Sequence, residues 1–220
     1  MGAFIKLLQS LIVFAGGFYI LYQILAFVFG VGGGGKKANL KKDLKLLRDE
    51  IAPWMDKLIP WKTEEMELLS LDREEKVRRK GWVKTVTGVI KSIYSEPLAA
   101  YAYKLSKHDK MGMLVVRTKD HEIIYEGDKN QVKVYVDGEF MGFLRPDGQL
   151  ISEDGRKVIA ASDGGLQMKA ITVNNKEVAM LNPGNMSENY AGRAFEHVEP
   201  LSDDEAKILT AMSMYEILKG

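Results

Sequence analysis

His121-Glu122-Ile123-Ile124-Tyr125 is this chain's nearest approach to a catalytic signature. It opens like the zinc motif His-Glu-x-x-His, which sets two imidazoles on one face of a helix. Here Tyr125 stands where the second ligand belongs, and the alternation of side chains reads as a strand, where i and i+4 cannot share a metal in the helical way. The other histidines, His108 and His197, fall in segments read as loops, with no nucleophile beside them. There is no Gly-x-Ser-x-Gly elbow. With 0 cysteines, thiolate nucleophiles, cysteine metal sites and disulfides are all excluded. Asp203, Asp204 and Glu205 read as helix-capping acids, and the aspartates before glycine as turn residues. No catalytic, metal or cofactor site follows from these residues, although a site assembled from scattered loop residues stays open.

A second group of residues imitates phosphate chemistry. Gly30 to Gly35 satisfies Gly-x-Gly-x-x-Gly, and Gly30 to Lys36 satisfies the first seven positions of a P-loop. Both motifs need a short strand before and a phosphate-facing helix after. The apolar run that precedes is too long for a strand, and Lys37 stands where the magnesium-binding hydroxyl should be. A glycine-rich joint over 32–37 is the better reading.

What remains as a candidate site is positive charge. Lys36, Lys37, Lys41, Lys42, Lys45 and Arg48 crowd one short segment, opposed mainly by Asp43. Clustered ammonium and guanidinium groups beside a membrane attract anionic phospholipid, so these six are the candidates for lipid contact. The chain as a whole is balanced, with Lys+Arg 31 against Asp+Glu 30. That balance argues against nucleic acid as a partner.

The element that would hold this charge at a membrane lies just before it. Leu11 to Phe29 carries no charge and one strongly polar side chain, Gln23. As a helix it would be about 28 Å long at roughly 1.5 Å per residue, close to the hydrocarbon thickness of a bilayer. Residues 1–31 are therefore expected to be a transmembrane anchor. The positive-inside rule puts the short N-terminus outside and the C-terminal domain in the cytoplasm. The alternative is a signal peptide cleaved near Gly30-Val31-Gly32 that releases an exported β-domain. Against it stand the length of the apolar run and the lysines beyond it.

From 38 to 65 the sequence predicts a basic amphipathic helix. Leu40, Leu44, Leu47, Ile51, Trp54 and Leu58 form its apolar stripe; Pro53 interrupts it and Pro60 ends it. The stripe can pack on the following domain, pair with a second copy or protein partner, or lie on the inner leaflet.

From 66 to 220 the period changes to that of strands. Short alternating segments follow one another: Trp82–Tyr94, Leu98–Leu105, Met113–Arg117, His121–Glu126 and Gln131–Val136. Turn pairs then recur at Asp137-Gly138, Asp147-Gly148, Asp154-Gly155, Asp163-Gly164 and Asn174-Asn175. Spacing this close leaves no room for crossover helices, so the sheet must be antiparallel, closing into a barrel or folding into a sandwich. Arg73, Lys76, Arg78, Arg79 and Lys80, mixed with acids, read as a solvated charged segment ahead of the first long strand, with headgroup contact as the other use. One helix follows the strands. Ser202-Asp203-Asp204-Glu205 is a capping box with Leu201 as its staple. Ile208, Leu209, Met212, Met214, Tyr215, Ile217 and Leu218 point in almost every direction, so the helix should be buried all round, inside a barrel. The fold class is thus a transmembrane helix plus a mainly-β domain, an antiparallel barrel-like sheet with a buried C-terminal helix.

Short antiparallel strands ending in Ala194 to Gly220, AFEHVEPLSDDEAKILTAMSMYEILKG, resemble the layout of the tubby C-terminal-like superfamily, its scramblase and LURP-one branches above all. The resemblance implies a twelve-stranded barrel wrapped around the last helix and allows a lipid-handling activity of the scramblase kind. It carries no lipid-binding or calcium-binding residue onto this chain. An N-terminal span departs from that family's usual plan.

Overall fold

The computed structural model describes residues 33–80, 83–105, 111–127, 131–165, 168–182 and 192–219. The apolar run Leu11–Phe29, His108 and Asn185-Met186-Ser187, a glycosylation sequon only if that side faces a secretory lumen, lie outside these residues. No helix among the described residues is long and apolar enough to cross a membrane. The chain divides into two units, Met1–Lys45 and Leu46–Gly220.

The first helix, α1, runs Gly33–Ile51, so Gly33, Gly34 and Gly35 of the expected joint have helical backbone. It ends where the sequence places its breaker. A 3-10 turn, Ala52–Lys57, takes over with Pro53 in its first turn, and Leu58 leaves it in extended conformation. Proline lacks the N–H that would continue an α-helical ladder. A second 3-10 turn, Thr63–Leu68, leads into the sheet.

Among the described residues the sheet has twelve strands in chain order, each antiparallel to the next. They are β1 Leu69–Lys80, β2 Val83–Ser92, β3 Pro97–Leu105, β4 Met111–Thr118, β5 Glu122–Gly127 and β6 Val132–Val136, followed by β7 Glu139–Leu144, β8 Gln149–Ile151, β9 Val158–Gly164, β10 Lys169–Val173, β11 Lys176–Leu181 and β12 Phe195–Val198. The first strand meets the last part of the sheet through the bridge Ser70 to Arg193. There the Ala194 amide donates to the Leu69 carbonyl at 2.7 Å and the Leu71 amide to Gly192 at 3.2 Å. The result is a nearly closed barrel. Its hairpins follow the turn chemistry: Asp137 and Gly138 have φ of 54° and 85°, and Asn174 and Asn175 of 50° and 65°, the left-handed pairs that a two-residue hairpin needs.

Three expectations are corrected. The charged segment from Arg73 to Lys80 does not precede the first strand; it is most of β1. Asp163-Gly164 is not a hairpin tip, because both residues belong to β9 and pair with β10. His197 lies in β12, not in a loop.

The charge of β1 hid it, yet the register gives its acids a use. Glu75 pairs with Gly88, and Gly88 with Tyr101, so all three share the inner face. The Tyr101 hydroxyl donates to Glu75 at 2.6 Å. A Cβ on Gly88 would fall 2.4 Å from that ring, so only glycine lets the tyrosine cross. Burial first, then the hydrogen bond to Glu75, pushes the Tyr101 hydroxyl far above its ordinary pKa.

The second helix, α2, runs Asp203–Leu218 behind the expected capping box, with the Glu205 amide donating to Ser202 Oγ. Leu209, Ala211, Met212, Met214, Ile217 and Leu218 are buried with the inward residues of the sheet, among them Leu114, Ile123, Tyr125, Ile171 and Phe195. The helix lies against β6, β9, β10 and β11. Each large aliphatic side chain buried this way contributes roughly 1.5–3 kcal/mol. Its polar groups are satisfied locally: Thr210 donates to the Ala206 carbonyl and Ser213 to that of Leu209. The Tyr125 hydroxyl donates to the Ala211 carbonyl at 2.6 Å, and Arg73 reaches the Ile217 carbonyl at 3.1 Å.

Glu216 is the one charge of α2 inside the wall, its side chain 1% exposed. Lys169 and Lys219 donate to it at 2.5 and 2.7 Å, and Ser162 at 3.1 Å. Burial alone would raise its carboxyl, but the two lysines outweigh that and hold it below the ordinary value. A depressed folded pKa means that the stabilisation is complete above the unfolded value, 4.5, and is lost as pH falls through the folded one. Glu216→Gln should cost roughly 1.5–3 kcal/mol near neutral pH, since charged hydrogen bonds are lost. Urea unfolding should show that difference shrinking only below pH 4.5; a gap independent of pH would show that the carboxylate charge is not what holds the helix.

Candidate functional site

The candidate charge cluster divides on inspection. Lys41, Lys42 and Lys45 are exposed on α1, and Lys36 and Lys37 belong to the same helix. Arg48 is engaged elsewhere. Its Nε donates to Glu122 Oε1 at 2.9 Å and its Nη2 to Oε2 at 2.5 Å, a bidentate fork on a carboxylate. That hydrogen bond, before any other influence, pushes the Arg48 pKa above its ordinary value. Arg117 approaches the same carboxylate at 3.3 Å.

Register explains the convergence. Val116 pairs with Ile123 and both face the core, so Arg117 and Glu122, one step along, are partners on the outside of the wall. Ala100, Ala102, Val115 and Ile124 share that outer face by the same alternation, and all are buried. The 3-10 turn after α1 lies on β3, and the Ile59 amide donates to the Pro97 carbonyl at 3.1 Å. Leu47, Ile51 and Leu58 of the predicted stripe are buried too. A cleft of about 270 Å³ stays open beside them, lined by Arg48, Ile51, Ala52, Met55, Arg117 and Glu122.

A larger cleft, about 460 Å³, lies where the start of α2 meets the second 3-10 turn and the β4–β5 connection. Its walls include Trp61, Lys62, Asp120, His121, Asp203 and Lys207. His121 Nδ1 sits 2.7 Å from Asp137 Oδ2, and the Glu122 amide donates to the other carboxylate oxygen at 2.9 Å. Partial burial works to raise the Asp137 carboxyl, but the Glu122 amide, His121 and the charge of Lys207 together hold it below its usual range. Asp137 is thus more than the turn residue that the sequence suggested. His197 pairs with Glu199 at 2.8 Å on the outside of β12, and the Thr118 hydroxyl beside His121 accepts from its backbone amide at 2.9 Å, while the imidazole faces Asp137. Among the described residues, no three His, Asp or Glu side chains are grouped to hold a metal ion.

The sequence reading missed the Arg48–Glu122–Arg117 cluster, because Arg48 and Glu122 lie 74 residues apart. The one available signal was that Glu122 sits at an outward position of an apolar strand. No family model, no curated protein and no solved structure matches this chain.

Glu122→Ala leaves two guanidiniums facing each other without their shared partner. Arg48 is half exposed, so solvent screening lowers the cost to about 1–2 kcal/mol. Denaturant unfolding should show that loss, together with faster amide exchange at Leu47 and Ile51; a change below about 0.5 kcal/mol would show that the apolar stripe alone holds this segment.

Proposed function

We propose that this chain is a single-pass membrane-anchored protein whose β-barrel domain lies on the cytoplasmic side and binds or scaffolds at the membrane surface. Anionic phospholipid is its first candidate ligand and a protein partner its second. The observation that carries this reading is the uncharged run Leu11–Phe29 followed, after the glycine-rich stretch, by lysines, of which Lys41, Lys42 and Lys45 are exposed. Each basic residue near an anionic leaflet contributes about 1 kcal/mol. The filled barrel supports a surface role as well. With α2 occupying the interior, ligand contacts fall to the outer wall and to α1. A barrel closed around its last helix is also the layout implied by the resemblance to the tubby-like superfamily.

Two measurements test this reading. A fragment from Lys36 onward should associate with vesicles containing anionic phospholipid and lose at least about tenfold when Lys36, Lys37, Lys41, Lys42 and Lys45 become glutamine, with the same sensitivity to salt. Unchanged association removes the lipid reading. A label specific for position 220 should react only after intact cells are permeabilised, and reaction in intact cells overturns the orientation.

A further inference from the structure

Glu122 is nearly out of water, its side chain 9% exposed, so its charge must be balanced where it stands. The bidentate fork of Arg48 balances it. Arg117 reaches the same carboxylate at 3.3 Å with one nitrogen, in a looser contact. Two guanidiniums and one carboxylate leave one positive charge in surplus. A guanidinium carries five N–H donors, and this single described contact uses one of them on Arg117.

The surplus has a definite setting. Arg48, Arg117 and the carboxylate of Glu122 that they share form the polar wall of the 270 Å³ cleft, and Ile51, Ala52 and Met55 form its apolar wall. A free inorganic anion would satisfy the first wall and leave the second wet. A hydrocarbon would do the reverse. A ligand with one anionic head on an apolar stem satisfies both. At about 270 Å³ the cleft has room for a head and a stem of a few carbons.

We propose that the cleft between the end of α1 and strands β4 and β5 binds an amphiphile with one anionic head, the head on Arg117 and the stem against Met55 and Ile51. This names a ligand class for the surface role above but needs neither the span nor the exposed lysines. A soluble amphiphile and an anionic membrane lipid share the required chemistry.

The test uses the full chain in a neutral detergent, with hexyl phosphate titrated by calorimetry against inorganic phosphate and hexanol. Hexyl phosphate should bind saturably and at least tenfold more tightly than either control. Arg117→Gln keeps the Arg48–Glu122 fork and should weaken binding at least tenfold. Met55→Glu, a substitution at a half-exposed position, should weaken it as much by placing a negative charge at the stem. Lys41→Gln, Lys42→Gln and Lys45→Gln together should leave hexyl phosphate binding unchanged while reducing vesicle association, which separates this site from the lysine surface. Absence of saturable binding, equal binding of inorganic phosphate, or indifference to both Arg117→Gln and Met55→Glu overturns the proposal. Competition by vesicles of anionic phospholipid identifies a membrane lipid as the occupant; failure to compete assigns the site to a soluble amphiphile.

Discussion

A helix with no wet face cannot exist at a protein surface, and from Leu209 onward α2 is such a helix. Nine of its residues from Leu209 to Leu218 are buried. A single sheet face or a partner helix covers one side; only a sheet curved around the helix covers them all. The architecture answers that need. Twelve short strands in chain order curve until β1 meets the segment before β12, and the polar groups carried inside are matched where they lie. No buried side-chain nitrogen or oxygen among the described residues lacks a partner. Glu216 is the strictest case, since a carboxylate left unpaired there would cost about 3–5 kcal/mol.

The outside of the wall repeats the problem on a smaller scale. Strands β3, β4 and β5 are apolar on both faces, which an ordinary one-sided barrel wall would leave wet. The small side chains of Ala100 and Ala102 make this a flat seat, and the turn that follows α1 lies on it. The Arg48–Glu122–Arg117 cluster borders that seat. It both ties the end of α1 to the sheet and leaves charge facing the adjoining cleft. Anchoring and the proposed binding therefore share residues here, a common arrangement where a connecting segment carries the chemistry.

Much of this was legible locally. The left-handed turns at Asp137-Gly138 and Asn174-Asn175, the capping box at Ser202, the break at Pro53 and the buried last helix all arise from interactions within a few residues. The failures share a cause as well. β1 was unreadable because Arg73 and Glu75 face inward beside the end of α2, where a helix carbonyl and a tyrosine hydroxyl meet them. That environment comes from distant parts of the chain. Asp163-Gly164 has turn chemistry, but a cross-strand pairing with Lys169 and Ala170 overrides it. The arginine–glutamate cluster depends on the register of β4 with β5 and on where α1 ends, neither of which spacing encodes.

The helix that fills the barrel follows every strand among the described residues. During synthesis at roughly 5–20 residues per second, the ribosome releases the wall before its filling. Hairpins can form as they emerge, but their inner faces have nothing to rest on until Leu209 to Leu218 arrive. For several seconds the nascent chain is a ribbon of exposed valine, isoleucine and tyrosine. Closure is therefore late in the folding order, and a chaperone that shields such ribbons has its greatest use in that interval.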